Sequence, residues 1–225
     1  MKHILLVVAT DSEFEAVSSA LNLTKNHDLI DSYIGILNDK KITVIKSGIG
    51  KGAMCFALGF MLAKEHYDLV VNTGVAGGLY KRVEPLTTII ATECAYYDVD
   101  LRGIEPDLKL GQLDDMPQFF KPDETVIKIS VKTGLIPGII VSGDLFITNK
   151  NTPKNLDENF KKPIAIDMES AAVGEACYIA NIPFAVIRTI SDDTTNDENG
   201  NDYYQSLSDT CRAAVLTTLE IIKQY

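Results

Sequence analysis

Short apolar runs and apolar residues at helical spacing alternate along the chain. Residues 2–10 (KHILLVVAT) form a run rich in branched apolar side chains, which is typical of a buried strand. Residues 11–22 place Phe14, Val17 and Leu21 at helical spacing. The chain is therefore predicted to begin with a strand and a helix.

Two alternating runs then flank a polar turn. Residues 31–38 and 40–48 lie on either side of Asn38-Asp39-Lys40, a pattern that predicts a β-hairpin. The second run leads into an apolar helix at 52–66. Five more runs of strand length follow, at 68–74, 87–97, 137–143, 162–168 and 182–191, with helical patterns at 123–134, 169–181 and 203–225.

This order of elements predicts an α/β fold in which a mixed sheet is covered by helices on both faces. No Ser/Gly-rich or Pro-rich run looks like a linker, so we expect one domain over residues 1–225. A chain of 225 residues with 46% hydrophobic content is large enough to bury one core.

The charge and the apolar content of the chain argue against nucleic-acid binding and membrane insertion. The net charge of −10 would repel a nucleic-acid backbone, so a small ligand is expected. The stretch LLVVA is far shorter than the roughly 20 residues of a membrane span, and no signal cleavage site follows it. We therefore expect a cytoplasmic protein without a nucleic-acid or membrane partner.

The cysteines and histidines lie far apart in the sequence. No CxxC pair and no HExxH motif occurs, so we expect buried free thiols and no bound metal. The cysteines are Cys55, Cys94, Cys177 and Cys211.

Acidic residues follow several predicted strands. Thr10 and Glu13 match a capping box, which is a purely structural role, although Glu13 also stands where a carboxylate could take a proton from water. Glu169 is expected near a helix N-terminus and Asp192 at a turn, and both positions also have structural explanations. Three carboxylates at strand ends on one sheet edge nevertheless predict a shared site.

Two glycine-rich segments also follow predicted strands. Residues 47–52 (SGIGKG) fit neither a Walker motif nor a dinucleotide fingerprint, so a tight turn is favoured over a phosphate cradle. Residues 72–78 (NTGVAGG) are small enough to form a backbone wall against a flat ligand.

The segments TDSE, SGIGKG, NTGVAGGL, YYDVD with GQL, VSGDLFI, DMES and RTISDD occur in this order between about residues 3 and 205. Together they resemble the 5′-methylthioadenosine/S-adenosylhomocysteine nucleosidases of the purine nucleoside phosphorylase superfamily. The resemblance implies a single-domain three-layer α/β/α sandwich with a mixed, partly barrel-like sheet. It also implies a homodimer that contains no metal or organic cofactor and works in methionine salvage. The implied reaction is the hydrolysis of an N-glycosidic bond with release of adenine.

The resemblance assigns roles to individual residues. Glu13 would activate water, Glu169 would hold the ribose hydroxyls, and Asp192 would protonate purine N7. The implied substrate-binding residues also comprise Met168 against the sugar, Phe146 and Ile147 at the base, Ile49 and Tyr203 in the 5′ pocket, and Val75, Ala76, Gly77 and Asp167.

Glycosidic cleavage places positive charge on the sugar and negative charge on the leaving base, which suits carboxylates at both ends. One of them must be protonated to act as the acid. We therefore predict that Asp192 lies in a drier setting with a raised pKa, and that Glu13 lies nearer to solvent.

Several residues depart from the family pattern and put the 5′ substituent in doubt. Thr10, Pro106 and Leu108 stand at positions that are commonly apolar or aromatic, Val75 replaces a usual serine, and Asp167 replaces a usual glutamate. The loop at 103–110 is the segment that would reach the 5′ group across a dimer.

Three alternative functions stay open. A futalosine or aminofutalosine hydrolase would need a roomier or more polar 5′ pocket. A phosphorylase would need cations at a bound phosphate. The chain has four arginines, and none lies in the glycine turns: Arg82, Arg102, Arg188 and Arg212. A silent nucleoside-binding protein would have no use for a buried proton donor.

Overall fold

The computed structural model describes the backbone of residues 1–194 and 199–225 and the side chains of residues 1–194 and 207–225. The strands are β1 (His3–Val8), β2 (Thr24–Asn26), β3 (Ser32–Leu37), β4 (Lys40–Lys46), β5 (Leu69–Gly78), β6 (Thr88–Tyr96), β7 (Ile136–Ser142), β8 (Ala165–Asp167) and β9 (Phe184–Asp193). The helices are α1 (Asp11–Ala20), α2 (Lys51–Lys64), α3 (Glu124–Lys132), α4 (Leu156–Phe160), α5 (Ser170–Ala180) and α6 (Asn199–Gln224).

The strands form one mixed sheet in the order β2-β3-β4-β1-β5-β8-β7-β6-β9. Strand β9 also pairs with β5, so that β5, β8, β7, β6 and β9 close into a ring. Strand β1 lies parallel to both β4 and β5. This closed ring beside an open sheet confirms the partly barrel-like sheet that the resemblance implied.

Helices cover both faces of the sheet because the buried strands are apolar on both sides. In β1, Ile4 and Leu6 face a core formed with α1, α3 and α6, whereas Leu5 and Val7 face a core formed with α2 and α5. The predicted three-layer α/β/α sandwich is therefore confirmed. Among the described residues, no helix is long and apolar enough to span a membrane.

The hairpin of β3 and β4 is also confirmed, and Asn38 supplies the left-handed backbone that its tight turn requires, with φ of 54°. The sequence patterns missed β2 and α4. Strand β2 has three exposed residues and α4 has five residues, too few to show a periodic pattern. The described cysteines are all free; Cys55 is half-buried rather than buried, and the other three are buried as expected.

Two segments that were predicted to follow strands lie inside them. Residues 72–78 belong to β5, and Asp192 belongs to β9, because the parallel pairing of these strands continues to the pairs Gly77–Asp192 and Gly78–Asp193. An irregularity in register occurs between Ala76 and Gly77. Residues 72–78 therefore close β5 as part of the strand, and the interpretation of Asp192 as a turn residue was wrong.

We expect Leu6→Ala to destabilise the protein by about 2–5 kcal/mol, because Leu6 is fully buried at the centre of the sheet and its loss leaves a cavity. Urea unfolding followed by circular dichroism measures this free energy. Leu29→Ala is the matched control, since Leu29 is 70% exposed. Equal unfolding midpoints for the two variants would contradict the described core.

Candidate active site

Glu13, Glu169 and Asp192 line one cavity of about 690 Å³, counting the space that is open to solvent. The three carboxylates come from α1, from the junction of β8 and α5, and from β9. The cavity is lined by Ala9, Thr10, Glu13, Ile49, Val75, Ala76, Gly77, Leu145, Phe146, Ile147, Ile166, Asp167, Met168, Glu169, Ser191, Asp192 and Thr194. The structure thus brings together three acidic residues that are distant in sequence.

Glu13 both caps a helix and faces the cavity. Its Oε2 accepts hydrogen bonds from the backbone N–H groups of Ala9 and Thr10, at 2.8 and 2.9 Å, and Thr10 completes the capping box. Its Oε1 accepts the backbone N–H of Val75 at 3.2 Å. The capping role and the cavity position are therefore compatible.

Glycine is required where β5 passes Glu13. A Cβ atom on Gly74 would lie 2.0 Å from Glu13 Oε1. Because β5 covers Glu13 in this way, Glu13 is about as deeply buried as Asp192, and the predicted difference in exposure is absent: the two residues are 4% and 3% exposed.

Glu169 is the N-cap residue of α5, and its Oε1 accepts the backbone N–H of Gly50 at 2.8 Å. Burial, and after it the negative charge of Asp167, raise the pKa of Glu169 to about 7. The hydrogen bond from Gly50 and the positive charge of Arg188 oppose this rise in pKa. Glu169 therefore exchanges its proton near neutral pH.

The turn at residues 47–52 provides a backbone hydrogen-bond donor to Glu169. Gly48 and Gly50 have φ angles of 86° and 92°, which favour glycine, and Gly50 is the N-cap residue of α2. The amide of Gly50 points at the Glu169 carboxylate at a helix N-terminus, where negative charge is favoured. The favoured interpretation, a tight turn, agrees with this geometry.

Asp167, which lines the cavity, forms a buried ion pair with Arg188, which is not part of the lining. Arg188 Nε donates to Asp167 Oδ2 at 2.9 Å, and a terminal nitrogen of Arg188 donates to Asn72 Oδ1. Ser142 Oγ donates to Asp167 Oδ1 at 2.6 Å. The sequence analysis missed this network, although a charged residue and an amide inside apolar strands were a usable signal.

Asp192 lies on β9 beside Gly77 of β5. Its Oδ1 accepts a hydrogen bond from Ser191 Oγ at 2.6 Å, and Ser191 Oγ also lies 3.3 Å from the carbonyl oxygen of Ala76. A Cβ atom on Gly77 would lie 2.6 Å from Thr194 Cγ2. Small residues on β5 therefore leave room for the strand pairing that places Asp192.

The remaining predicted residues also line this cavity: Ile49, Val75, Ala76, Gly77, Phe146, Ile147, Asp167 and Met168. Tyr203 lies outside the residues whose side chains are described. The prediction omitted Ala9, Leu145, Ile166, Ser191 and Thr194, which also line the cavity. Pro106 and Leu108 are not part of the lining that the described chain provides.

The described cavity lining contains no lysine or arginine. Arg82 binds Asp157, and Arg102 binds Asp100, both outside the cavity. Arg188 is engaged by Asp167. Among the residues that the structure describes, no group of three or more histidine, cysteine or acidic residues could hold a metal ion.

Comparisons with known proteins agree with this geometry. A sequence model described as the phosphorylase superfamily matches residues 3–225. The 5′-methylthioadenosine/S-adenosylhomocysteine nucleosidase of Halalkalibacterium halodurans is 32% identical over 200 residues, covering 85% of this chain and 86% of that protein.

Two crystal structures of nucleosidases with the same name have a similar fold. The Neisseria meningitidis protein, in complex with methylthio-immucillin-A, is 27% identical with a TM-score of 0.92 and 100% coverage of both chains. The Colwellia psychrerythraea protein, in complex with adenine, is 26% identical with a TM-score of 0.92, covering 99% of this chain and 95% of that one. The similarity extends over nearly the whole chain.

We expect the pH dependence of stability to report the raised pKa of Glu169. Because the pKa rises from 4.5 to about 7, this group stabilises the folded state fully below pH 4.5, and the contribution is lost as pH rises through about 7. Glu169→Gln removes the titration. The unfolding free energy of the unaltered protein should therefore fall relative to that of Glu169→Gln over this interval.

Urea unfolding at a series of pH values measures the difference. Glu124→Gln is the control, since Glu124 lies on the exposed face of α3. Parallel stability curves for the unaltered protein and Glu169→Gln would show that burial does not raise the pKa of Glu169.

Proposed function

The chain belongs to the phosphorylase superfamily, and within it to the 5′-methylthioadenosine/S-adenosylhomocysteine nucleosidases, and on this premise we propose how it acts. It is a hydrolase of N-glycosyl bonds that cleaves 5′-methylthioadenosine, S-adenosylhomocysteine or a related 5′-modified adenosine into adenine and a 5-substituted ribose. The observation that carries the proposal is the meeting of Glu13, Glu169 and Asp192 in one cavity whose described lining has no cation.

In the proposed reaction, the bond between the sugar and the purine breaks as water adds to the sugar carbon. Asp192 gives a proton to the purine nitrogen N7, so the base leaves as neutral adenine. Glu13 takes a proton from the attacking water. The sugar passes through an oxocarbenium-like state, and the nearby carboxylates stabilise its positive charge.

Glu13 is well held for the role of base. Three backbone N–H groups donate to its two carboxylate oxygens, so its position is fixed before substrate arrives. Such preorganisation reduces the reorganisation that the reaction needs. The same hydrogen bonds keep the Glu13 carboxylate in place in the lining of the cavity.

Glu169 is proposed to bind the ribose hydroxyls. Its pKa of about 7 means that the protonated and ionised forms are both populated near neutral pH. A protonated carboxyl can donate one hydrogen bond and accept others, whereas the ionised form only accepts. Glu169 can therefore match either orientation of a sugar hydroxyl.

Hydrolysis is favoured over phosphorolysis for an electrostatic reason. A bound phosphate would bring about two negative charges at neutral pH into a cavity that already holds several carboxylates, and it would need cations to offset them. The described lining offers none, and Arg188 is bound to Asp167. Water carries no charge and meets no such penalty.

The 5′ substituent is the least defined part of the proposal. Thr10 and Ile49 both line the cavity, so its lining includes a hydroxyl group as well as apolar side chains. A futalosine or aminofutalosine substrate remains the alternative because the Thr10 hydroxyl is polar. A silent binding protein is disfavoured, since binding does not require three converging carboxylates.

We also propose a homodimer that works in the cytoplasm in methionine salvage. Large apolar side chains are exposed on neighbouring helices, namely Phe56 on α2 and Tyr178 and Ile179 on α5. An exposed apolar patch of this kind is typical of a protein interface. Ile104, in the loop at 103–110, is also exposed and would be available to a second subunit.

We expect Asp192→Asn to lower kcat by roughly 10²–10⁴-fold, because the amide cannot transfer a proton to the leaving base. The affinity for 5′-methylthioadenosine should change little, since asparagine keeps the size of the side chain and a hydrogen-bonding group. Adenine release followed by chromatography gives kcat, and calorimetry on the slow variant gives Kd.

The matched control is Asp193→Asn, because Asp193 is the neighbouring carboxylate and does not line the cavity. This variant should turn over at a rate close to that of the unaltered protein. Full activity of Asp192→Asn would remove Asp192 from the proposed role of general acid.

A panel of purine nucleosides in phosphate-free buffer tests the reaction class and the substrate. We expect adenine to be released from 5′-methylthioadenosine and S-adenosylhomocysteine at a rate that added phosphate does not increase. Strict dependence on phosphate would indicate a phosphorylase. Faster release from futalosine or aminofutalosine would instead assign the alternative substrate.

A further inference from the structure

Three motifs of the chain meet in a polar cluster beside the cavity, which we call the loop clamp: Lys51, Asp98 and Asp144. Lys51 belongs to the segment SGIGKG, Asp98 to YYDVD and Asp144 to VSGDLFI. None of these side chains lines the cavity itself. The reaction proposed above therefore leaves their presence unexplained.

The contacts of the loop clamp form a closed cycle. Lys51 Nζ lies 2.8 Å from both carboxylate oxygens of Asp98. Asp98 Oδ2 accepts the backbone N–H of Asp144 at 3.0 Å. Asp144 Oδ1 in turn accepts the backbone N–H of Lys51 at 2.8 Å. Each member thus contacts both of the others.

The loop clamp reaches the cavity through the residues that follow Asp144. Leu145, Phe146 and Ile147 all line the cavity, directly after Asp144 in the chain. Leu145 and Phe146 are both exposed, so apolar packing holds them weakly, whereas Ile147 is buried in an apolar cluster. The position of Leu145 and Phe146 consequently depends on polar contacts, which also include the hydrogen bond from Asn151 Nδ2 to the carbonyl oxygen of Phe146.

The start of the same loop is fixed by close packing. A Cβ atom on Gly143 would lie 2.5 Å from Tyr97 Cζ and 2.8 Å from Asp98 Cγ. The backbone of Gly143 also donates to the carbonyl oxygen of Asp167 at 3.1 Å. The loop therefore leaves β7 at a defined place and is directed by Asp144.

The N-terminus of α2 joins the loop clamp to Glu169. Consecutive amides point at two carboxylates: the N–H of Gly50 binds Glu169 Oε1, and the N–H of Lys51 binds Asp144 Oδ1, each at 2.8 Å. The N-terminus of α2 thus holds two groups: the loop that contains Phe146, and Glu169, which is proposed to bind the ribose. These two groups lie at opposite ends of the proposed nucleoside.

The exposure of the loop clamp argues against a role in stability alone. The side chains of Lys51 and Asp98 are each 23% exposed, so solvent reaches the ion pair and reduces its contribution to the free energy of folding. A weak contribution to stability is still large enough to hold one short loop. Positioning is therefore the role that its geometry fits.

We propose that Lys51, Asp98 and Asp144 are positioning residues that hold the loop of residues 143–147 against the purine ring. The proposal rests on the proposed function, because it assumes that a purine occupies this cavity. It adds a set of residues that act on base affinity without contacting the base. A correctly placed loop needs no ordering when the nucleoside binds, which lowers the cost of binding.

The first test removes the contact that directs the loop. Asp144→Ala should raise the Kd for adenine and the KM for the nucleoside about tenfold, as expected for loss of a charge-assisted hydrogen bond. The kcat should fall much less, since Glu13 and Asp192 keep their contacts. Calorimetry with adenine and chromatographic kinetics give these values, and thermal unfolding checks that the variant is folded.

The second test uses the ion pair of the loop clamp. Lys51→Met should raise the Kd for adenine, and Lys51→Arg should restore it, because arginine can also bind both oxygens of Asp98. Combining Lys51→Met with Asp98→Asn should have no greater effect than the stronger single change. Glu124→Ala is the matched control, since it removes an ion pair with Lys128 on α3 and should leave Kd unchanged.

The outcomes separate this proposal from the proposed function. An unchanged Kd for adenine in Asp144→Ala, or additive effects of Lys51→Met and Asp98→Asn, would overturn the positioning role while the hydrolase activity stands. An unaltered protein that binds adenine but cleaves none of the nucleosides would overturn the proposed function. In that case, a higher Kd for adenine in Asp144→Ala would still support the loop clamp.

Discussion

The site depends on neutral hydrogen-bond donors that hold carboxylates inside a buried cavity. Glu13 is bound by backbone amides, Glu169 by the amide of Gly50, and Asp192 by the hydroxyl of Ser191. Such donors fix a carboxylate in place but lower its pKa less than a full positive charge does. Glu169 is an example: burial raises its pKa to about 7, and the hydrogen bond from Gly50 only partly opposes this rise. Glu169 can therefore exchange a proton near neutral pH inside the cavity.

Strand β5 can pass close to these carboxylates only because it carries small residues. Strands β5 and β9 pair along their whole length, so the backbone of β5 runs past both Glu13 and Asp192. Gly74 and Gly77 cannot carry a Cβ atom without meeting Glu13 and Thr194. The small residues of β5 therefore do two things, since they admit the carboxylates from neighbouring elements and leave one wall of the cavity flat.

Sequence patterns predicted the layers of the fold and the segments that reach the cavity, but not how those segments contact each other. Apolar periodicity located β1 and α1, and the capping box at Thr10 and Glu13 is present as predicted. The contact between Gly50 and Glu169 joins residues 119 positions apart, so no local pattern could reveal it. The burial of Glu13 was mispredicted for the same reason, because the covering strand comes from a distant part of the chain.

Arg188 shows how this site differs from one that would accept an anion. It lies on β9 and is almost fully buried. Asp167 and Asn72 occupy its guanidinium, so its charge is balanced within the protein. Displacing Asp167 with a phosphate would leave a buried carboxylate without its cation, which is strongly unfavourable. The ion pair of Arg188 and Asp167 thus favours water over phosphate as the nucleophile that attacks the sugar.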